Sequence, residues 1–186
     1  MSSNSKILRM HPKIFITWVF IISISMIFVS LISAYIVKKG EPGGLEIILP
    51  SMFIYSSIVV FLSSVFKQLA YFSAKKNDFN NLKFYLLVSI LLGISFLFLQ
   101  YLSWKELILS GIYLVGHPDG SFIYVITGVH GFHLVTGIVF ICIVLYSSVK
   151  LEVHSKNLNL IEMSTTYWHF LSGLWLYLYV TLILYN

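Results

Sequence analysis

Five long apolar runs alternate with short polar breaks along the 186 residues. The runs fall at about 14–37, 47–66, 82–102, 122–149 and 165–184. A helix needs about 20 predominantly apolar residues to cross the hydrocarbon of a bilayer. The pattern therefore predicts an all-α fold, a polytopic membrane helical bundle with five transmembrane helices. It leaves no room for a soluble domain, so residues 1–186 read as a single membrane domain.

The breaks carry turn chemistry. Lys38-Lys39-Gly40-Glu41-Pro42-Gly43-Gly44 is a stop and turn. Lys67 to Asn81 reads as a polar loop, His117-Pro118-Asp119-Gly120 as a turn, and Lys150 to Glu162 as a polar connection. Inside the spans, small residues recur at helical spacing. Ser23, Ser30 and Ala34 share one face of the first span, and Ser56, Ser57, Ser63 and Ser64 repeat at seven residues in the second. Such stripes suit close helix packing. Bulky Phe and Ile side chains are then expected to face lipid. Gln100, Trp104 and Glu106 form an interfacial set, with Trp104 expected at headgroup level.

Composition agrees. The chain is 58% hydrophobic and 10% charged, with a mean hydropathy of +0.89; soluble domains carry about 25% charged residues. Cys142 is the lone cysteine, which excludes a disulfide framework and a thiolate metal cluster. The first apolar run is too long for the core of a signal peptide, and no small-residue cleavage site follows it. The net charge of +5 is no nucleic-acid footprint, because the basic residues sit beside spans. Nine Lys and Arg fall on the side of the N-terminus and three on the other. The excess puts the N-terminus in the cytoplasm and the C-terminus outside.

Against this apolar background two polar clusters stand out: Gly128-Val129-His130-Gly131-Phe132-His133 and Tyr167-Trp168-His169-Phe170. A histidine at bilayer depth can ligate haem or metal, relay protons, or hold helices together by hydrogen bonds. At about 100° per residue, His130, His133 and Gly137 share a face, and Thr165, His169, Ser172 and Gly173 make a similar stripe. The two stripes could face each other. An axial pair such as His133 and His169 would suit a haem. The depths argue against it, because each histidine lies early in its span and the two spans start on opposite sides. A proton wire lacks Asp or Glu within the spans. Neutral histidines bonded to backbone, Ser or Thr are the expectation.

At these residues the chain resembles a known family. Thr127-Gly128-Val129-His130-Gly131-Phe132-His133-Leu134 is similar to the T-G-x-H-G-x-H-V signature of subunit III of haem–copper respiratory oxidases. Tyr167-Trp168-His169-Phe170, followed by Trp175-Leu176-Tyr177-Leu178-Tyr179, resembles its Y-W-H-F-V-D-x-x-W-L-F-L-Y. Phe98-Leu99-Gln100 and then Glu106 resemble its L-L-Q segment. Five spans look like the short bacterial form of a family whose larger members have seven.

The resemblance implies a non-catalytic subunit in the bacterial inner membrane, without redox cofactor of its own. Haem and copper would lie in the partner catalytic subunits. The partners implied are subunit I, subunit II and a small subunit IV, with bound phospholipid and no nucleic acid. The role implied is to stabilise the catalytic subunit, bind lipid and support proton uptake during oxygen reduction, with cytochrome c as the expected donor. Gly128, His130, Gly131, His133, Gln100, Glu106, Tyr167, Trp168, His169 and Trp175 would be structural motif positions. Two departures stand out. Ile24 and Ser25 occupy the region where many members carry a buried first-span Glu, and Ser172-Gly173 replaces the Asp expected after the second motif. An accessory protein of a nitric oxide reductase, a membrane b-type cytochrome and a small transporter are the alternatives. No inverted repeat supports the last.

Overall fold

A computed structural model describes residues 12–41, 47, 49–116, 118–150 and 158–185, with the side chains of residues 12 and 13 left aside. Five helices make up the fold: α1 Pro12–Lys39, α2 Met52–Lys75, α3 Phe79–Leu109, α4 Pro118–Val149 and α5 Asn159–Leu184. All five are long and apolar enough to cross a membrane.

The second loop is where sequence and structure part. Residues 67–75 continue α2 instead of opening a loop, and α3 begins at Phe79. Only Lys76, Asn77 and Asp78 join the two helices. Asn77 takes φ +56°, a left-handed conformation that Asn tolerates better than most residues. Asp78 then caps α3 by accepting the Asn81 N–H at 3.2 Å. The periodic face Val60, Ser63, Lys67, Ala70 and Ala74 runs straight through the supposed boundary and is buried throughout. The other breaks are also shorter than drawn. Lys38 and Lys39 end α1, Pro118, Asp119 and Gly120 open α4 instead of forming a turn, and Asn159 to Glu162 open α5. Residues 42–46, His117 and 151–157 of the stop, turn and connection lie outside the described residues.

The hairpin of α2 and α3 closes at a small-residue contact. Ser63 Oγ donates to Ser89 O at 3.1 Å and Ser89 Oγ returns to Ser63 O at 3.4 Å. α3 packs next on α4, α4 on α5, and α5 back on α2, so four helices form a closed ring. α1 lies outside it, against α4 and α5. Its buried face is Ile21, Ile24, Phe28, Ile32 and Tyr35, spaced three and four apart. Ser23, Ser30 and Ala34 point outward instead. The groove between α4 and α5 takes bulky side chains, so the small stripe of α1 is not its packing face in this chain. The α2 stripe does pack: Ser56, Ser57 and Ser63 are buried. Phe15, Ile16, Phe20 and Ile22 are exposed on α1, as a lipid-facing surface requires.

Candidate functional site

The two motif clusters come together in the ring, each through a different neighbour. α2 and α5 run antiparallel and are joined by a ladder of polar pairs. Trp175 Nε1 donates to Ser57 Oγ at 3.0 Å, and two turns along Trp168 Nε1 donates to Ser63 Oγ at 3.1 Å. His169 extends the ladder, with Nδ1 at 2.5 Å from Ser64 Oγ and Nε2 at 2.8 Å from Gln68 Oε1. An amide oxygen only accepts, so Nε2 carries the ring hydrogen and Nδ1 takes the Ser64 hydroxyl hydrogen. Trp168 and Trp175 lie seven residues apart on α5 and their acceptors Ser63 and Ser57 six apart on α2, about two turns in each helix, so one register serves both rungs.

The expected pairing of the α4 and α5 polar stripes is half right. Gly137 does meet α5, and an added Cβ there would lie 3.0 Å from Leu171 and 3.1 Å from Trp168. His169 instead faces α2, and a Cβ on Gly173 would meet nothing within 4 Å. Tyr167 makes the cross-link to α4, its hydroxyl 2.9 Å from Thr136 Oγ1 and 3.4 Å from His133 O. These contacts put His133 and His169 within about a turn of each other in depth, not near opposite surfaces. Their rings are kept apart by direction. His133 Nδ1 donates to Val129 O at 2.8 Å within its own helix. Both nitrogens of His169 are taken by α2, so a shared axial pair has no geometric basis.

His130 departs from the hydrogen-bonding expectation. Its ring is fully buried, and neither nitrogen has a partner among the described residues. Trp175, Phe96 and Phe28 surround it, with ring centroids 5.1, 5.8 and 6.2 Å away. Three rings from three helices leave no width for a macrocycle. Gln100, one turn beyond Phe96, is also buried, and neither amide atom has a partner among the described residues. Glu106 is half-buried on the last turns of α3. Trp104 turns inward to donate to Thr127 Oγ1 at 3.1 Å, so it ties α3 to α4 as well as lying near a span end. Gly128 and Gly131 have their nearest neighbours at 3.8 and 3.9 Å, which is ordinary contact. Closer approaches lie outside the motif, at Gly137 one turn past it and at Gly93 and Gly120, where an added Cβ would lie 2.9 Å from Trp168 and from Ile112. Among the described residues no three His, Cys, Asp or Glu side chains converge as a metal site would require.

Sequence reasoning missed Ser57, Ser63, Ser64 and Gln68 as partners of the second motif. The seven-residue serine repeat held the signal, but nothing in one sequence says which helix will face it.

The family model described as cytochrome c oxidase subunit III matches residues 12–186. The chain belongs to the cytochrome c oxidase subunit III family. It is 29% identical over 170 residues to cytochrome bo(3) ubiquinol oxidase subunit 3 of Buchnera aphidicola, covering 89% of this chain and 90% of that one. Cytochrome c oxidase subunit 3 of Bacillus sp. PS3 is 23% identical over 171 residues, covering 90% and 83%. The rat cytochrome c oxidase subunit 3 is 34% identical over 127 residues, 67% of this chain and 46% of the rat protein. The subunit III resemblance read from the two histidine motifs thus extends over nearly the whole chain. With five spanning helices, this family member is a multi-pass membrane protein.

Proposed function

We propose that this chain is the non-catalytic subunit III of a haem–copper terminal oxidase in a bacterial inner membrane. It packs beside the catalytic subunit I and, with subunit II and a small subunit IV, completes a complex that reduces oxygen and pumps protons. Haem and copper belong to those partners. The observation that carries the reading is the family match over residues 12–186. It is supported by the histidine geometry, in which His133 and His169 spend their ring nitrogens on helix packing. Tyr167, Trp168, His169 and Trp175 then act by fixing the register of α5 against α2 and α4, so that a stable face is presented to subunit I.

Lipid binding has a candidate place. A cavity of about 800 Å³ opens between α3 and α4, lined by Tyr101, Trp104, Ile108, Leu114, Val125 and Val129. Lys105 stands at its rim with Nζ 4.8 Å from the Tyr101 ring centroid. An acyl chain suits the apolar walls and a lipid phosphate suits Lys105. Support of proton uptake would be indirect, through the stability of subunit I, because the first-span acid of many members is replaced here by Ile24 and Ser25. The donor is cytochrome c in this reading. The names of the relatives divide between cytochrome c and ubiquinol oxidases, so both substrates belong in the assay.

The test is purification of the tagged chain in mild detergent, with a reduced-minus-oxidised spectrum and mass spectrometry of its partners. Haem absorbance on a large co-purifying oxidase subunit, and none on this chain once separated, is the expected result. Haem retained by the separated 21.3 kDa chain would overturn it.

A further inference from the structure

The polar ladder between α2 and α5 ends at His169, and past that rung lies a cavity of about 200 Å³. Gln68, Tyr71, Glu162, Thr165, Thr166 and His169 line it, and none of the six is aliphatic. Both nitrogens of His169 are spent, one on Ser64 Oγ and one on Gln68 Oε1, so no imidazole lone pair is left for a ligand. Thr165 is only 5% exposed, and its Oγ1 has no partner among the described residues. Other buried hydroxyls bond back to their own helix: Ser57 to Phe53 O, Ser103 to Leu99 O and Ser172 to Trp168 O. Thr165 does not, and its lone pairs remain for whatever fills the cavity. Glu162 supplies the single carboxylate of the lining and is exposed. Thr166 and Tyr71 add hydroxyl oxygens. Oxygen donors without imidazole or thiolate suit a hard cation.

We propose that this cavity binds one alkali cation of the sodium class, held by the Glu162 carboxylate and the hydroxyls of Thr165 and Thr166. One carboxylate balances one positive charge. Lys67 adjoins Gln68 in the chain, and Lys75 Nζ lies 5.1 Å from the Tyr71 ring centroid. Their repulsion is twice as large for a divalent ion, which sets the valence at one. A water occupies about 30 Å³, so the cavity has room for the ion with part of its hydration shell. The ion joins α2 to α5 one turn past the last rung of the ladder.

The full chain in nonionic detergent tests this by equilibrium dialysis with radioactive sodium. Thermal unfolding in sodium chloride against N-methylglucamine chloride, whose cation is too large to enter, is the second measurement. Saturable binding of one sodium per chain and a higher unfolding temperature in sodium are expected. Glu162 is exposed, so Glu162→Gln leaves the packing intact and should abolish both effects. Thr165→Val should weaken sodium binding roughly tenfold, the loss of one oxygen bonded to a charge. A folded wild-type chain without saturable sodium binding would overturn the proposal, as would wild-type affinity in folded Glu162→Gln. Calcium binding more tightly than sodium, or a retained amine-bearing lipid in place of the ion, would overturn it too.

Discussion

At the scale of single residues, the three motif histidines serve three different ends. His133 bonds its own helix, His169 bridges to α2, and His130 fills an aromatic box with no hydrogen bond among the described residues. The consequence differs for each. Truncating His169 strands the Ser64 hydroxyl and the Gln68 amide in a half-buried site, and an unsatisfied buried group costs about 1–3 kcal/mol. His169→Ala is therefore expected to lower the yield of assembled complex more than the turnover of the complex that survives. Subunit content and oxygen consumption per haem, measured on the same preparation, check it. Slow turnover at normal subunit content would count against a packing role.

At the scale of helices, small residues matter only where another helix arrives. Gly137 is such a place, and Gly173 is not. Gly137→Ala should lower the unfolding temperature of the chain, because the new methyl group meets Leu171 and Trp168 and overpacking costs about 1–3 kcal/mol. Gly173→Ala should hold or raise it, since a helical Gly costs about 1 kcal/mol relative to Ala. A differential scanning comparison of the two variants decides this, and equal shifts would deny the contact its role. Ser63 is a junction of three helices, accepting from Trp168 of α5 while donating to Ser89 O of α3 across the hairpin. Ser63→Leu should push α2 away from both α3 and α5. Unchanged complex yield and unchanged melting would contradict it.

At the scale of the whole molecule, α1 packs on only one side of the ring and leaves Ser23, Ser30 and Ala34 facing outward. Orientation is a property of this scale as well. Lys67 leaves the loop count once it is seen to be buried, so the nine against three becomes eight against three, with the sign unchanged. A reporter enzyme active only outside the membrane should therefore be silent when inserted at residues 76–78, the α2–α3 turn. It should be active at residues 113–116, the α3–α4 link. The reverse pattern would invert the topology.

Much of this was legible in the sequence. Apolar run length determined five spanning helices, because in hydrocarbon the backbone has to satisfy itself within each helix. The two histidine motifs pointed to the family on their residues alone. The second loop was misread because a lysine and a glutamine in succession look like an exit from the membrane, whereas the helical period of Val60, Ser63, Lys67, Ala70 and Ala74 shows no break. The small stripe of α1 was assigned the wrong side for a related reason: periodicity finds a face without saying what meets it. Only the tertiary structure decided that His169 turns to α2, that Trp168 and Trp175 reach Ser63 and Ser57, and that His130 sits among Phe28, Phe96 and Trp175. Those pairings join residues up to 118 positions apart. They are set by the order in which helices close the ring, which local sequence does not encode.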